Sequence, residues 1–202
     1  MTTGAEVRTV SAKEFYRAAL DQGGPFPAVQ HYRTGPPEAQ YPSEGHGAVF
    51  HEEGCVLASI AYELGGPVLE IGAEKGISTR YIHEGLTVGG HKDKLYSVDI
   101  RHQWPEDANW PLRVRVERDS RFYRTPEPVR WAFIDGNHTR PFIMQDIEAA
   151  VASGAKSFLF HDTGPENPWP DPRKVVLEVF GDIADVRIWD IKTGCGLMYV
   201  ET

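Results

Sequence analysis

The stretch Val68-Leu69-Glu70-Ile71-Gly72-Ala73-Glu74-Lys75-Gly76-Ile77-Ser78-Thr79 constrains the chain more than any other. A short apolar run, Val68 to Ile71, meets a glycine-bearing turn and then a segment that Ser78 or Thr79 can cap as a helix. A chain leaving a parallel strand this way gathers backbone N–H groups and the positive end of a helix dipole beyond the strand's carboxyl end. Open α/β sheets bind ligands at that place. The spacing is not a dinucleotide fingerprint, because Glu74 stands where a middle glycine would sit, and no Gly-Lys-Ser/Thr follows to make a phosphate loop. What remains is an acid, Glu70, a glycine two residues on and another four beyond. Glu70 can accept a hydrogen bond from a ligand, and Gly72 and Gly76 let a nucleoside approach the backbone. An ordinary strand-turn-helix junction has the same outline.

Later segments repeat the arrangement. Lys94 to Asp99 reads as a second strand ending in an acid about twenty residues past the glycines, where a carboxylate can accept both hydroxyls of a ribose. Arg101 to Pro111 reads as a Trp- and Pro-bearing loop, and Leu112 to Glu117 as a third strand followed by Arg118-Asp119-Ser120. Val129 to Ile134 is an apolar strand that runs into Asp135-Gly136-Asn137-His138, with a helix from Arg140 or Pro141 to Ser153 behind it. Lys156 to Phe160 is a fifth strand ending in His161-Asp162. Adjacent strands lie about 4.8 Å apart, so Asp135, His138, His161 and Asp162 are expected over one crevice. Oxygen and imidazole donors of this kind suit Mg²⁺ or another divalent ion, although strand-end Asp and His are also often satisfied by backbone amides. Pro-rich Thr163 to Pro172 carries Trp169 towards that crevice. A helix from Arg173 to Phe180, a strand from Val186 to Ile191 and a last strand from Gly196 to Val200, antiparallel after a tight turn, complete the pattern.

From about Gly54 to Val200 the chain resembles a class I S-adenosylmethionine (SAM) dependent methyltransferase. More narrowly, the Glu70 to Thr79 stretch, Phe133-Ile134-Asp135-Gly136-Asn137-His138 and Phe160-His161-Asp162 are similar to methyltransferase family 24, a group related to cephalosporin hydroxylase-like and macrocin O-methyltransferase-like proteins. The resemblance implies an α/β, Rossmann-like fold: a seven-stranded, mostly parallel sheet with an antiparallel last strand and helices on both faces. It implies SAM held around Glu70, Gly72, Ala73, Gly76, Ser78, Asp99 and Ile100, with Asp119 and Ser120 beside the adenine and Asp135 near the reacting end. A divalent metal would be held by Asp135, His161 and Asp162, and His138 and His161 compete for the role of general base. The usual Asp-Gly-Asp-His has Asn137 in place of its second acid here, which removes one anionic ligand.

Upstream, Ser11 to Asp21 reads as a helix with a capping box between Ser11 and Glu14, and Glu52 to Leu64 as a helix with Val56, Leu57, Ile60, Ala61 and Leu64 on one face. The Pro- and Gly-rich stretch Pro25 to Gly47 carries Phe26, His31, Tyr32, Arg33, Tyr41 and His46, a composition that fits a lid over an acceptor or a surface-packed arm. The expected organisation is 1–53 as an N-terminal helix and lid-like segment, and 54–202 as the SAM-binding domain.

A net charge of -8 and the lack of a basic run interleaved with aromatics disfavour nucleic acid as a partner. Cys55 and Cys195, without C-x-x-C spacing, argue against a disulfide framework or structural zinc. No signal-peptide core and no run of about 18 apolar residues occur, so a cytoplasmic protein without a membrane partner is expected. The expected activity is methyl transfer to a hydroxyl of a small molecule, a sugar or natural product. A silent SAM-binding regulator and a divalent-metal hydrolase are the alternatives, and homo-oligomerisation stays open.

Overall fold

The computed structural model describes residues 4–12, 14–15, 49–103 and 110–202. The stretch expected to be a lid and the loop residues 104–109, with Trp104, lie outside the described residues.

Eight strands form one sheet. In chain order the elements are β1 (Glu6–Ser11), α1 (His51–Leu64), β2 (Val68–Ile71), α2 (Ile77–Val88), β3 (Leu95–Asp99), β4 (Arg113–Glu117), a 3₁₀ turn (Ser120–Phe122), β5 (Trp131–Ile134), α3 (Arg140–Ala152), β6 (Ser157–Phe160), α4 (Asp171–Phe180), β7 (Arg187–Lys192) and β8 (Leu197–Glu201). The strand order is β1-β7-β8-β6-β5-β2-β3-β4. β8 runs antiparallel to both β6 and β7, and every other pairing is parallel. All seven expected strands are therefore present, with the last one antiparallel. The eighth, β1, pairs in parallel with β7 through Glu6 to Ser11, where the sequence predicts no strand and only Ser11 is expected to cap a helix. Four of its six residues are exposed, as on an edge strand, so it lacks the apolar signal of the central strands. Ser11 ends β1 and still makes the expected capping box: its N–H donates to Glu14 Oε2 (2.8 Å), and the Glu14 N–H donates to Ser11 Oγ (3.2 Å).

Alternation along the strands divides the core into two layers. On one face Val68, Leu95, Trp131, Phe133, Leu159 and Leu197 pack beneath α1 and α2 with Leu57, Ile60, Tyr81, Ile82 and Leu86. On the other, Leu69, Ile71, Val98, Ile134, Phe158 and Phe160 pack against Ile143 and Ile147 of α3 and Val176 and Phe180 of α4. Each large side chain buried here contributes about 1.5–3 kcal/mol. No described helix is long and apolar enough to cross a membrane.

Candidate functional site

Strands β2, β3, β5 and β6 are parallel neighbours, so their tips, Ile71, Asp99, Ile134 and Phe160, open onto one rim. The rim has a turn on one side and a cluster of titratable groups on the other.

The turn is built from inside. Glu70 is fully buried, and its carboxylate accepts hydrogen bonds from Ser78 Oγ (2.6 Å), Thr79 Oγ1 (2.7 Å) and Ser97 Oγ (2.6 Å). Burial raises its pKa, with the three hydroxyls pulling the other way and Asp135 adding to the rise. Glu70, read from sequence as a ligand contact, is thus spent on tying β2, β3 and the first turn of α2 together. Ser78 and Thr79 likewise turn their hydroxyls inward to Glu70; the residue that caps α2 is Gly76, in the left-handed region at φ 76° and without a side-chain cap bond. Gly72 has φ 89°, and a Cβ there would stand 2.0 Å from the Asp135 carbonyl oxygen. Only glycine fits both conditions. Ala73 and Ser78 are buried, whereas Ile100 is 75% exposed on the rim.

Asp99 stands at the tip of β3. Its oxygens accept the backbone N–H groups of Glu74 (2.8 Å) and Arg101 (2.9 Å), and each keeps a further lone pair. That donor-hungry pair fits a ribose diol. Asp119, by contrast, is engaged by the Arg121 guanidinium, which lowers its pKa, and Ser120 Oγ donates to Asp146 Oδ1 (2.5 Å).

The other side of the rim is a carboxylate–imidazole cluster. His161 is buried, with Nδ1 3.2 Å from Asp135 Oδ1 and 3.4 Å from Asp162 Oδ2, and Nε2 3.0 Å from Glu53 Oε2. His138 Nε2 lies 2.9 Å from Asp162 Oδ2 and 3.5 Å from Asp135 Oδ1. Burial would lower the pKa of both imidazoles, but the hydrogen bonds and charges of the acids prevail: His138 rises to about 9 and His161 rises well above its ordinary value. Burial opposes, but the two imidazoles and Asn167 overcome it, holding Asp162 far below the carboxylate range. The expected convergence of Asp135, His138, His161 and Asp162 is therefore what the fold produces. Asn137 is not part of it; its Oδ1 accepts from the N–H and hydroxyl of Thr139. Trp169 is half-exposed, and its ring centroid lies 5.4 Å from that of His138.

Donor atoms of Asp135, His161 and Asp162 lie within 4.8 Å of one another, two oxygens and one imidazole nitrogen. That set fits a divalent cation, provided His161 Nδ1 presents its lone pair rather than a proton.

Two buried acids of the site went unread in the sequence. Glu53 lies on α1 three and four residues before Val56 and Leu57, and Asp146 on α3 between Ile143 and Ile147. A carboxylate within a helix's apolar stripe was the available signal in both cases. Asp146 is 4% exposed, and burial raises its pKa to about 6.

An open, mostly parallel sheet with its rim sites and an antiparallel β8 between β6 and β7 defines a class I methyltransferase fold. Residues 69–163 match the model of a methyltransferase domain, family 24, the resemblance that the three motifs had indicated. No curated protein matches the sequence. Among solved structures, the chain is similar to the O-methyltransferase TomG from Streptomyces achromogenes, involved in tomaymycin synthesis and in complex with SAM, at 17% identity over 95% of this chain and 96% of that one (TM-score 0.60). An O-methyltransferase from Bacillus cereus in complex with S-adenosylhomocysteine is 20% identical over 95% and 98% (TM-score 0.58). The Podospora anserina methyltransferase PaMTH1, also bound to S-adenosylhomocysteine, is 13% identical over 94% of each chain (TM-score 0.53).

Proposed function

We propose that the chain transfers the methyl group of SAM to a hydroxyl of a small-molecule acceptor held over Asp135 and Asp162. The observation that carries this reading is the sharing of one rim by the Gly72–Gly76 turn and Asp99 on one side and the Asp135–His138–His161–Asp162 cluster on the other. The match of 69–163 to a methyltransferase-domain model, and the SAM and S-adenosylhomocysteine carried by TomG and the Bacillus cereus enzyme, support it.

SAM supplies an electrophilic methyl carbon, so the chain has to align a nucleophile with it in a dry pocket. Asp99 takes the ribose hydroxyls and Gly72 leaves room beside the backbone. Asp135, His161 and Asp162 would hold a divalent ion, which would lower the pKa of the acceptor hydroxyl and fix its oxygen. His138, with Trp169 beside it and Nε2 on Asp162, borders the acceptor; in its neutral form it takes the proton that the hydroxyl loses as its oxygen bonds the methyl carbon and the carbon–sulfur bond of SAM breaks, and Asp162 stabilises the imidazolium so formed. His161 is buried with both nitrogens facing carboxylates, so it serves as ligand rather than base. The acidic surface charge favours a small acceptor over nucleic acid, in a cytoplasmic setting.

Calorimetry with S-adenosylhomocysteine tests the first half: absence of binding removes the reading. Turnover measured after exhaustive chelation tests the second. Loss with rescue by Mg²⁺ is expected, whereas unchanged turnover leaves His138 as sole base without an ion.

A further inference from the structure

The cluster is anchored from outside the motifs by Glu53. This carboxylate is fully buried, and both of its oxygens are saturated. Oε1 accepts from Thr193 Oγ1 (2.8 Å) and the Cys195 N–H (2.7 Å), on the turn between β7 and β8. Oε2 accepts from the Phe50 N–H (2.9 Å), at the start of α1, and stands 3.0 Å from His161 Nε2. The Thr193 hydroxyl, the Cys195 and Phe50 N–H groups and His161 Nε2 take up two positions on each oxygen and leave no place for a proton on the carboxylate itself. A carboxylate so placed can only accept, so the nitrogen facing it must carry a proton.

With Nε2 protonated, Nδ1 either shares a second proton with the acids it faces or, once a cation displaces that proton, offers a lone pair. Nδ1 faces Asp135 Oδ1 and Asp162 Oδ2. In a singly protonated ring with its proton on Nε2, Nδ1 is a lone pair aimed between the two acids. In the opposite tautomer it is an N–H, and no cation can use it. Metal-ligating histidines generally donate their second ring N–H to a carboxylate or carbonyl, which sets both tautomer and ring orientation.

Resting on the divalent-ion reading above, we propose that Glu53 is a positioning residue: it accepts the Nε2 proton of His161 and so presents Nδ1, with Asp135 and Asp162, as a ligand atom for a divalent cation. Glu53 touches neither acceptor nor cofactor in this assignment. It acts through His161 alone.

Glu53→Gln separates this from a merely structural role. The Thr193 hydroxyl and Cys195 N–H keep the single amide oxygen on their side, so the amide NH₂ faces Nε2 and the ring proton moves to Nδ1, while the Phe50 N–H loses its acceptor, a cost read in stability and not in the ring signals. Thr193→Val removes a hydrogen bond from the same carboxylate without touching His161. The measurements are Mg²⁺ affinity by calorimetry on the full chain and the ¹⁵N signals of the His161 ring, with and without Mg²⁺. Expected are a loss of about 10–100-fold in Mg²⁺ affinity for Glu53→Gln, an unchanged affinity for Thr193→Val, and protonated Nε2 with unprotonated Nδ1 in Mg²⁺-loaded wild type. Wild-type Mg²⁺ affinity in a folded Glu53→Gln protein overturns the proposal alone. No Mg²⁺ binding by wild type overturns the ion reading and the proposal with it. Should Glu53→Gln not fold, the wild-type spectrum decides, since a proton on Nδ1 in the loaded protein excludes the assignment.

Discussion

Gly72 and the carbonyl of Asp135 are in backbone contact: a Cβ on Gly72 would come within 2.0 Å of that oxygen. The Gly72 N–H donates to Val98 O (2.9 Å) and the Asp135 N–H to Ile71 O (2.9 Å), so neither strand tip can retreat without breaking the sheet. The cofactor side and the acceptor side of the rim are thereby joined at one point that admits no side chain. Gly72→Ala adds a positive-φ penalty of about 1 kcal/mol to a backbone clash, and the clash dominates. Expected are a loss of roughly 2–4 kcal/mol by chemical denaturation and the loss of measurable S-adenosylhomocysteine binding. A variant with wild-type binding would show that the two sides are not coupled there.

Glu70 gives a sharper choice between a ligand contact and an internal brace. In Glu70→Gln the amide oxygen can stay with Thr79 and Ser97 while Ser78 turns to accept from the NH₂, and no ionised group is left behind. Little change in melting temperature and an S-adenosylhomocysteine affinity within about threefold of wild type are expected. Glu70→Ala leaves three buried hydroxyls without their acceptor and opens a cavity, for a cost of about 3 kcal/mol or more. The brace is refuted by a Glu70→Gln protein of unchanged stability whose affinity falls more than tenfold.

The strand tips were legible because each apolar run ends abruptly in an acid, a signal that depends only on local burial: Asp99, Asp135 and Asp162 sit where their runs stop. The cluster chemistry followed from parallel neighbours placing β5 and β6 tips together. The direction of a side chain at a strand's penultimate position is set by the pleat, and that was not read for Glu70, which points under α2 instead of out of the rim. Ser78 and Thr79 looked like caps for the same reason: their acceptor, Glu70, is eight and nine residues back rather than in the helix they begin. Glu53 and Asp146 depend on contacts 108 and 26 residues away in the chain, beyond any local pattern.

Asp146 predicts a pH dependence of stability. Its pKa is raised from 3.8 to about 6 by burial. The folded state then holds a proton that the unfolded state has lost between roughly pH 4 and 6, so stability falls as pH rises through that window and stays lowered above it. The penalty at neutral pH is on the order of 3 kcal/mol. Asp146→Asn, which retains an acceptor for Ser120 and carries no charge, is expected to raise the melting temperature at pH 8 and to flatten the profile between pH 4 and 6. A variant whose profile keeps the wild-type slope there would assign that slope to other groups.

Trp169 separates acceptor from cofactor. Its backbone N–H donates to Asn167 Oδ1 (2.9 Å), and Asn167 Nδ2 donates to Asp162 Oδ1 (2.6 Å) and to the Cys195 carbonyl (3.3 Å), so the main chain at Trp169 is tied to the cluster and its half-exposed ring lies beside that of His138. Nothing on the β2–β3 side of the rim takes part in those bonds. A flat apolar face beside His138 can cover one side of a bound acceptor, a contact worth about 0.5–1.5 kcal/mol. Trp169→Ala is therefore expected to raise the acceptor KM by up to about tenfold, with the S-adenosylhomocysteine affinity measured by calorimetry unchanged. Trp169→Phe should recover most of the loss. If cofactor affinity falls with the acceptor KM, Trp169 belongs to the cofactor side, and the division of the rim at Gly72 and Asp135 is wrong.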